Sequence, residues 1–310
     1  MTSIPVVDLK EFVEGTLNTR SAFIAQLGKA YEEVGFVAVK NHGIPPALID
    51  TLYKQVKAFF ALPAAQKKAY EIPGLAGQRG YTSFGKEHAK GSDAPDLKEF
   101  FQYGQVEHSG EYPDNIVVRE LTDFNPVFDE AYRGFERSGS HLLKAIALYL
   151  QLDEDYFEPH IQRGNSIVRA IHYPPITAEP RSAIRAEQHE DINLITLLVG
   201  ASADGLEILN KQGNWFPVTS LPDQIVVNVG DMLQRLTNNR LKSTTHRVVN
   251  PPRELWGTSR FSIPFFLHPK SEMSLACLES CIDANHPKAY EDITAGEYLD
   301  ERLREIGLKK

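Results

Sequence analysis

The sequence predicts a mixed α+β chain with a mainly β core, and three observations carry that expectation. From Asn165 to His268 short β-rich runs follow one another: SIVRAIHY, NLITLLVG, GLEIL, QIVVNV, THRVV and RFSIPFF. Turn signals separate them, and no helical period intervenes. Apolar residues at helical spacing are concentrated in the first half instead. Many short strands without helices between them build an antiparallel sandwich or barrel, not a parallel α/β sheet.

Ile4 to Leu9 reads as a short strand. Arg20 to Glu33 places Phe23, Ile24, Leu27, Ala30 and Tyr31 at helical spacing; Gly35 ends that helix and Phe36 to Val39 reads as a strand. Pro45 and Pro46 open a helix that runs through Phe60 with Leu48, Leu52, Val56 and Phe59 on one stripe, since proline's fixed φ suits a first turn. Pro73 to Pro95, rich in Gly and polar residues, is expected to cross the surface as a long loop and to form a pocket wall. Asn125 begins a long helix to about Leu150, with Phe128, Tyr132, Phe135, Leu142, Leu143 and Ile146 along one face. Asn210-Lys211-Gln212-Gly213 joins GLEIL to NWFPV as a hairpin turn. Thr294 to Leu308 closes the chain as a short amphipathic helix. The expected division is residues 1–120, a flanking N-terminal region, and 121–310, the core with its C-terminal helix, forming one compact unit.

Of the 310 residues 42% are apolar, enough for a sizeable core. The 33 basic and 41 acidic side chains leave a formal charge of −8. With no long Lys/Arg run, that balance argues against nucleic acid or an anionic membrane as partner. Nothing in the sequence points to a protein partner. The start MTSIPVVDLKEF has no charged region followed by a long apolar run, and no stretch of about 18 apolar residues occurs, so neither a secretion signal nor a membrane span is expected. Only Cys277 and Cys281 are present, too few for a disulfide-stapled fold; at i,i+4 they share a helical face, but without a second Cys/His pair they read as small buried residues. The reducing cytoplasm is the expected compartment.

The chemistry-bearing residues fall in the β-rich half. His189 and Asp191 are two apart, so on an extended strand their side chains point the same way. His246 follows 246 − 189 = 57 residues later in THRVV. Two imidazoles and one carboxylate on one face of a metal leave adjacent positions open, which suits Fe(II) chemistry with O2 and a chelating co-substrate. A His-x-Asp pair alone is weak evidence, because a solvated turn explains it equally well. Its company strengthens it. Arg260 and Ser262 share a face at the start of an apolar strand, and a guanidinium fork with a hydroxyl beside it binds a carboxylate well. Tyr173, before Pro174-Pro175, supplies a third donor. The competing readings are a structural salt bridge for Arg260 and an ordinary rim tyrosine.

These segments together resemble the isopenicillin N synthase-like members of the Fe(II)/2-oxoglutarate dioxygenases. The matching text includes IPVVDL, GFVAVKNHGIP, GYTSFGKE, DLKEFF, HYPP, QHEDINLITLL, IVVNVGDMLQRLTNN, KSTTHRVVNP and RFSIPFF, in order and spacing over most of the chain. The resemblance implies a double-stranded β-helix (jelly roll) with N-terminal helices packed on it. It implies Fe(II) held by His189, Asp191 and His246, and the distal carboxylate of 2-oxoglutarate held by Arg260, Ser262 and Tyr173. It implies an enzyme that uses O2 to oxidise a small organic molecule, by hydroxylation in the first instance, with release of succinate and CO2. Two alternatives stay open: an Fe(II) oxidase that needs no 2-oxoglutarate, and a non-catalytic metal-binding sensor. Ile171 stands where many plant members have Asn. Asp231 is expected to cap a turn and His42 to be structural. Lys98 and Glu99 either approach the substrate or belong to a solvated helix face. Phe101 and Gln234 are expected in the substrate pocket.

Overall fold

The computed structural model describes residues 3–75, 77–87, 95–107, 110–200, 204–219 and 221–305. The chain opens with β1 (Val6–Asp8), shorter than expected because the Asp8 carboxylate accepts the Lys10 backbone N–H at 3.0 Å and so starts helix α1 (Leu9–Val13). Thr16 caps α2 (Leu17–Glu33) in the same way, receiving the Thr19 N–H at 3.3 Å, so that helix begins before Arg20. It ends at Gly35, whose φ of 76° turns the chain into β2 (Phe36–Lys40). Then come α3 (Pro46–Phe60) and α4 (Ala64–Lys68).

Within the expected loop Pro73 to Pro95 lies a strand, β3 (Gly80–Thr82), paired antiparallel with β4 (Glu99–Tyr103); residues 76 and 88–94 of that stretch are outside the described ones. Helix α5 (Phe124–Tyr149) matches its expected span, and α6 (Glu158–Ile161) follows. The β-rich half gives β5 (Ile167–Tyr173), β6 (Ala186–His189), β7 (Ile195–Val199), β8 (Leu206–Leu209), β9 (Trp215–Pro217) and β10 (Gln224–Val229). It ends with a short helix α7 (Asp231–Leu236), which the strand pattern did not show, then β11 (His246–Val248) and β12 (Arg260–Leu267). The turn between β8 and β9 is the expected one: Asn210 Oδ1 accepts the N–H groups of Gln212 and Asn214, and Gly213 takes φ 80°. Helix α8 (Ala295–Glu305) closes the described chain; residues 306–308 of the expected helix lie outside it.

The strands form two sheets, one in the order β1-β2-β10-β7-β12-β5-β4-β3 and one in the order β6-β11-β8-β9. The pairings between these strands are antiparallel except that of β1 with β2. The expected jelly roll with helices packed on it is therefore the observed fold. The alternation of the strands divides the large sheet's two faces. Val168, Ala170, Ile263, Phe265 and Leu267 point toward the helices, while Ile167, Arg169, Ile171, Tyr173, Arg260, Ser262 and Phe266 point into a cavity between the sheets.

On the helical side aromatic rings make the seal. Phe124 stacks on Phe128 at 4.3 Å between centroids, Phe59 meets Phe101 edge-on at 4.8 Å, and Phe135 stacks on Phe265 at 5.3 Å. All six rings are fully buried, each burial contributing roughly 1.5–3 kcal/mol. Phe101 is thus a core residue and not a pocket wall, because its parity on β4 is opposite to that of Gln102. Gln234 also lies off the cavity; its Oε1 accepts the Ser243 N–H at 2.9 Å. His42 is structural as expected, buried with Nδ1 accepting the Ile44 N–H at 3.3 Å. Both cysteines are free and buried. No described helix is long and apolar enough to cross a membrane.

Glu136 on α5 offers a test of the outer layer. Burial, with Glu107 and Glu158 nearby, pushes its carboxyl up to about 7 despite Arg133 and Arg137. A folded-state pKa above the unfolded one stabilises below the unfolded value, and that contribution is lost as pH rises through about 7. Glu136→Gln is therefore expected to raise the melting temperature at pH 8 and to leave it nearly unchanged at pH 4. An equal shift at both pH values would contradict this account.

Candidate metal centre

The two sheets enclose a cavity of about 540 Å³. Strand β6 ends at His189, and Asp191 follows just past the strand, where the sequence pattern had put both on one strand. Strand β11 runs antiparallel to β6 and sets His246 opposite His189. The result is the expected convergence. Nε2 of His246 lies 3.7 Å and Nε2 of His189 4.0 Å from Asp191 Oδ1, and one donor atom from each of the three lies within 4.8 Å of the others.

Each imidazole is oriented from behind. His189 Nδ1 lies 2.6 Å from the Glu187 carbonyl oxygen and His246 Nδ1 3.1 Å from that of Thr244. A carbonyl only accepts, so Nδ1–H donates there in both rings and each Nε2 is turned toward Asp191. Burial, reinforced by His246, holds the His189 pKa near 4, so that ring is neutral at ordinary pH. Burial alone would raise the Asp191 carboxyl, but His246 and His189, with hydrogen bonds from Asn228 and Thr196, hold it below the usual range.

Those last two residues were not found from the sequence. Thr196 Oγ1 donates to Asp191 Oδ2 at 2.6 Å and Asn228 Nδ2 donates to the same oxygen at 2.8 Å, leaving Oδ1 for the histidines. Thr196 and Asn228 are cross-strand partners on β7 and β10, a relation that only strand register reveals. Imidazole nitrogens and a carboxylate oxygen, all pre-oriented, fit Fe(II) as a donor set.

Along β12 and β5 the cavity continues toward a second group. Arg260 stands opposite Tyr173 and Ser262 opposite Ile171, so the three expected carboxylate anchors share one end of the inner face. The Arg260 guanidinium sits 5.0 Å from the Tyr173 ring centroid and is buried to 1% exposure. Arg185, also missed in the sequence, flanks the same ring at 5.9 Å; burial and the charge of Arg260 lower its pKa to about 10. Two buried guanidiniums around one phenol favour an anion there. Ile171, Leu206, Val248 and Leu198 form the apolar wall of this end.

The two alternatives divide Lys98 from Glu99, and the expectation for Asp231 changes. Lys98 and Glu99 lie on no helix face and are not solvated. Glu99, on β4, points toward the helices and binds Lys67 Nζ at 2.8 Å and His172 Nδ1 at 2.7 Å. Lys98 lines the cavity, where burial opposes its charge but Glu87 and Asp96, each 2.7 Å from Nζ, raise its pKa. Asp231 is not a cap. Gly230 occupies the cap position of α7 without a side-chain bond, and the Asp231 carboxyl, raised by burial to about 6, accepts from the Tyr298 hydroxyl of α8 at 3.2 Å.

Residues 4–120 match the family model described as non-haem dioxygenase in morphine synthesis N-terminal, and residues 164–269 match that of the 2OG-Fe(II) oxygenase superfamily. A protein named proline hydroxylase from Petromyces alliaceus is 35% identical over 96% of this chain and 97% of its own length. Among solved structures, a 2OG-Fe(II) oxygenase family protein from Caulobacter crescentus superposes with a TM-score of 0.88 at 42% identity, covering 99% of this chain and 100% of that one. A full-length Neurospora crassa protein in complex with alpha-KG and thymine gives 0.86 at 28% identity, covering 97% of this chain and 96% of that one.

Proposed function

Because the chain belongs to the 2-oxoglutarate/Fe(II) oxygenase superfamily, and so is an oxidoreductase using Fe(II), 2-oxoglutarate and O2, we propose that it hydroxylates a small organic molecule at a centre built from His189, Asp191 and His246. The observation that carries the reading is the geometry of the cavity's inner face. Three pre-oriented metal donors lie in the same cavity as an arginine and a serine of one strand parity. When bound, Fe(II) supplies O2 activation coupled to oxidative decarboxylation of 2-oxoglutarate to succinate and CO2. The chain's own residues do the rest. Arg260, Ser262 and Tyr173 hold the distal carboxylate, and Thr196 and Asn228 fix which Asp191 oxygen faces the metal. The wall of Ile171, Leu206 and Val248 excludes water from the reacting atoms.

A relative named proline hydroxylase and a neighbour complexed with thymine support a compact, polar, cyclic substrate for this chain as well. The reducing cytoplasm suits the proposed metal and the free cysteines. The test is an anaerobic titration of the Fe(II)-loaded protein with 2-oxoglutarate, following the visible charge-transfer band of a chelated keto acid. Iron bound without any band would move the reading to an oxidase in which Arg260 and Ser262 hold the substrate's own carboxylate.

Asn228→Ala provides a second check. It removes one of the two donors on Asp191 Oδ2 and frees the carboxylate to rotate. Iron affinity is expected to fall by about 10–100-fold, as for other partners behind metal ligands. An unchanged Fe(II) dissociation constant would show that Thr196 alone suffices.

A further inference from the structure

Beyond the triad the cavity holds a second polar cluster that neither the metal nor 2-oxoglutarate uses in the reading above. Arg169 pairs in register with Gln102, and His268 follows β12 on the inward parity; both line the cavity. The cluster adjoins the triad, because the Asp191 charge acts on the His268 ring and Glu87 interacts with His189.

The Arg169 guanidinium is held as a plate. Its Cζ lies 4.3 Å from the Phe100 centroid and 5.1 Å from that of Phe266. Nε donates to Gln102 Oε1 at 3.1 Å and Nη1 to the Glu87 carboxylate at 3.2 and 3.3 Å. Nη2 has no acceptor among the described residues. The His268 ring, only 7% exposed, has no hydrogen-bond partner among them either. Burial lowers its pKa to about 3, so it stays neutral with one donor and one acceptor.

Lys98 is shared by Glu87 and Asp96, and among the described residues Arg169 leans on Glu87 alone. The Arg169 guanidinium thus lines the cavity with one edge unclaimed among the described residues, and a fixed guanidinium edge suits a carboxylate. A cavity of about 540 Å³ that also takes the co-substrate leaves room for a small molecule only.

We propose that this cluster is the primary-substrate subsite and that the substrate carries a carboxylate, received by Arg169 Nη2 beside His268, with the carbon to be oxidised turned toward the triad. The proposal rests on the metal and co-substrate reading above. The experiment uses the Fe(II)-loaded protein with saturating 2-oxoglutarate under anaerobic conditions, and the isosteric probes benzoate and benzamide. With the charge-transfer band retained, benzoate is expected to bind about 10-fold more tightly or better, in line with the larger contribution of a charged hydrogen bond. Arg169→Gln is expected to erase that preference while shifting the 2-oxoglutarate midpoint less than about twofold. Equal binding, no binding of either probe, or a preference that survives in the variant overturns the proposal. If Arg169→Gln fails to fold, the probe comparison on the native protein still decides, and Arg169→Lys should keep part of the preference. Absence of the band itself would instead overturn the underlying reading, so the two failures are distinguishable.

Discussion

His246→Ala is expected to abolish succinate formation and to weaken Fe(II) binding by more than the ~10–100-fold typical of residues behind a ligand, because it removes a donor itself. The fold should survive. His246 lies on a three-residue strand, its ring meets Phe36 edge-on at 5.5 Å, and the register of β11 with β8 is carried by the backbone. Circular dichroism and the melting temperature separate loss of metal from loss of structure. His246→Gln, which keeps bulk and an oxygen donor, should recover part of the iron affinity and little turnover. Wild-type succinate yield in His246→Ala would mean that the triad is not the metal centre.

How much of this was legible in the sequence follows from how far apart the cooperating residues are. Helices α3 and α5 show their apolar stripe within single windows, and both appear where the pattern puts them. Arg260 and Ser262 are two apart on a regular strand, so parity alone puts them on one face. Strand β3 is only three residues long, too short for a period, and it exists because β4 offers it an edge. Lys98 and Glu99 look like a solvated charge pair because three of their partners, Glu87, Lys67 and His172, come from other segments. Phe101 and Gln102 are neighbours with opposite fates, and the one-residue parity of β4 cannot be fixed before its pairing with β5 is known. Thr196 and Asn228 are ordinary strand residues until antiparallel pairing sets them side by side under Asp191. Asp231 reads as a cap from its acid type and position, but Gly230 takes the cap position and Asp231 turns toward α8.

Arg260→Leu is expected to leave Fe(II) binding intact and to cost the 2-oxoglutarate complex about 2–5 kcal/mol, the range for truncating one partner of a buried charge pair. At about 1.4 kcal/mol per decade that is a rise of roughly 30-fold or more in the keto acid needed to form the charge-transfer band. The size follows from the surroundings. Arg260 is 1% exposed, so water cannot replace its fork, and Ser262 and Tyr173 offer only neutral hydroxyls. Arg185 stays behind on the far side of the Tyr173 ring, and its charge can retain part of the attraction. The double variant Arg185→Leu/Arg260→Leu should therefore lose more than Arg260→Leu alone. Leucine in place of Arg260 also removes the repulsion that this guanidinium imposes on Arg185. Added 2-oxoglutarate should raise the melting temperature of the wild type more than that of the variant, because a ligand that binds only the folded state stabilises more the more tightly it binds. A variant with an unchanged titration midpoint and the same ligand-induced stabilisation would move the carboxylate anchor away from Arg260.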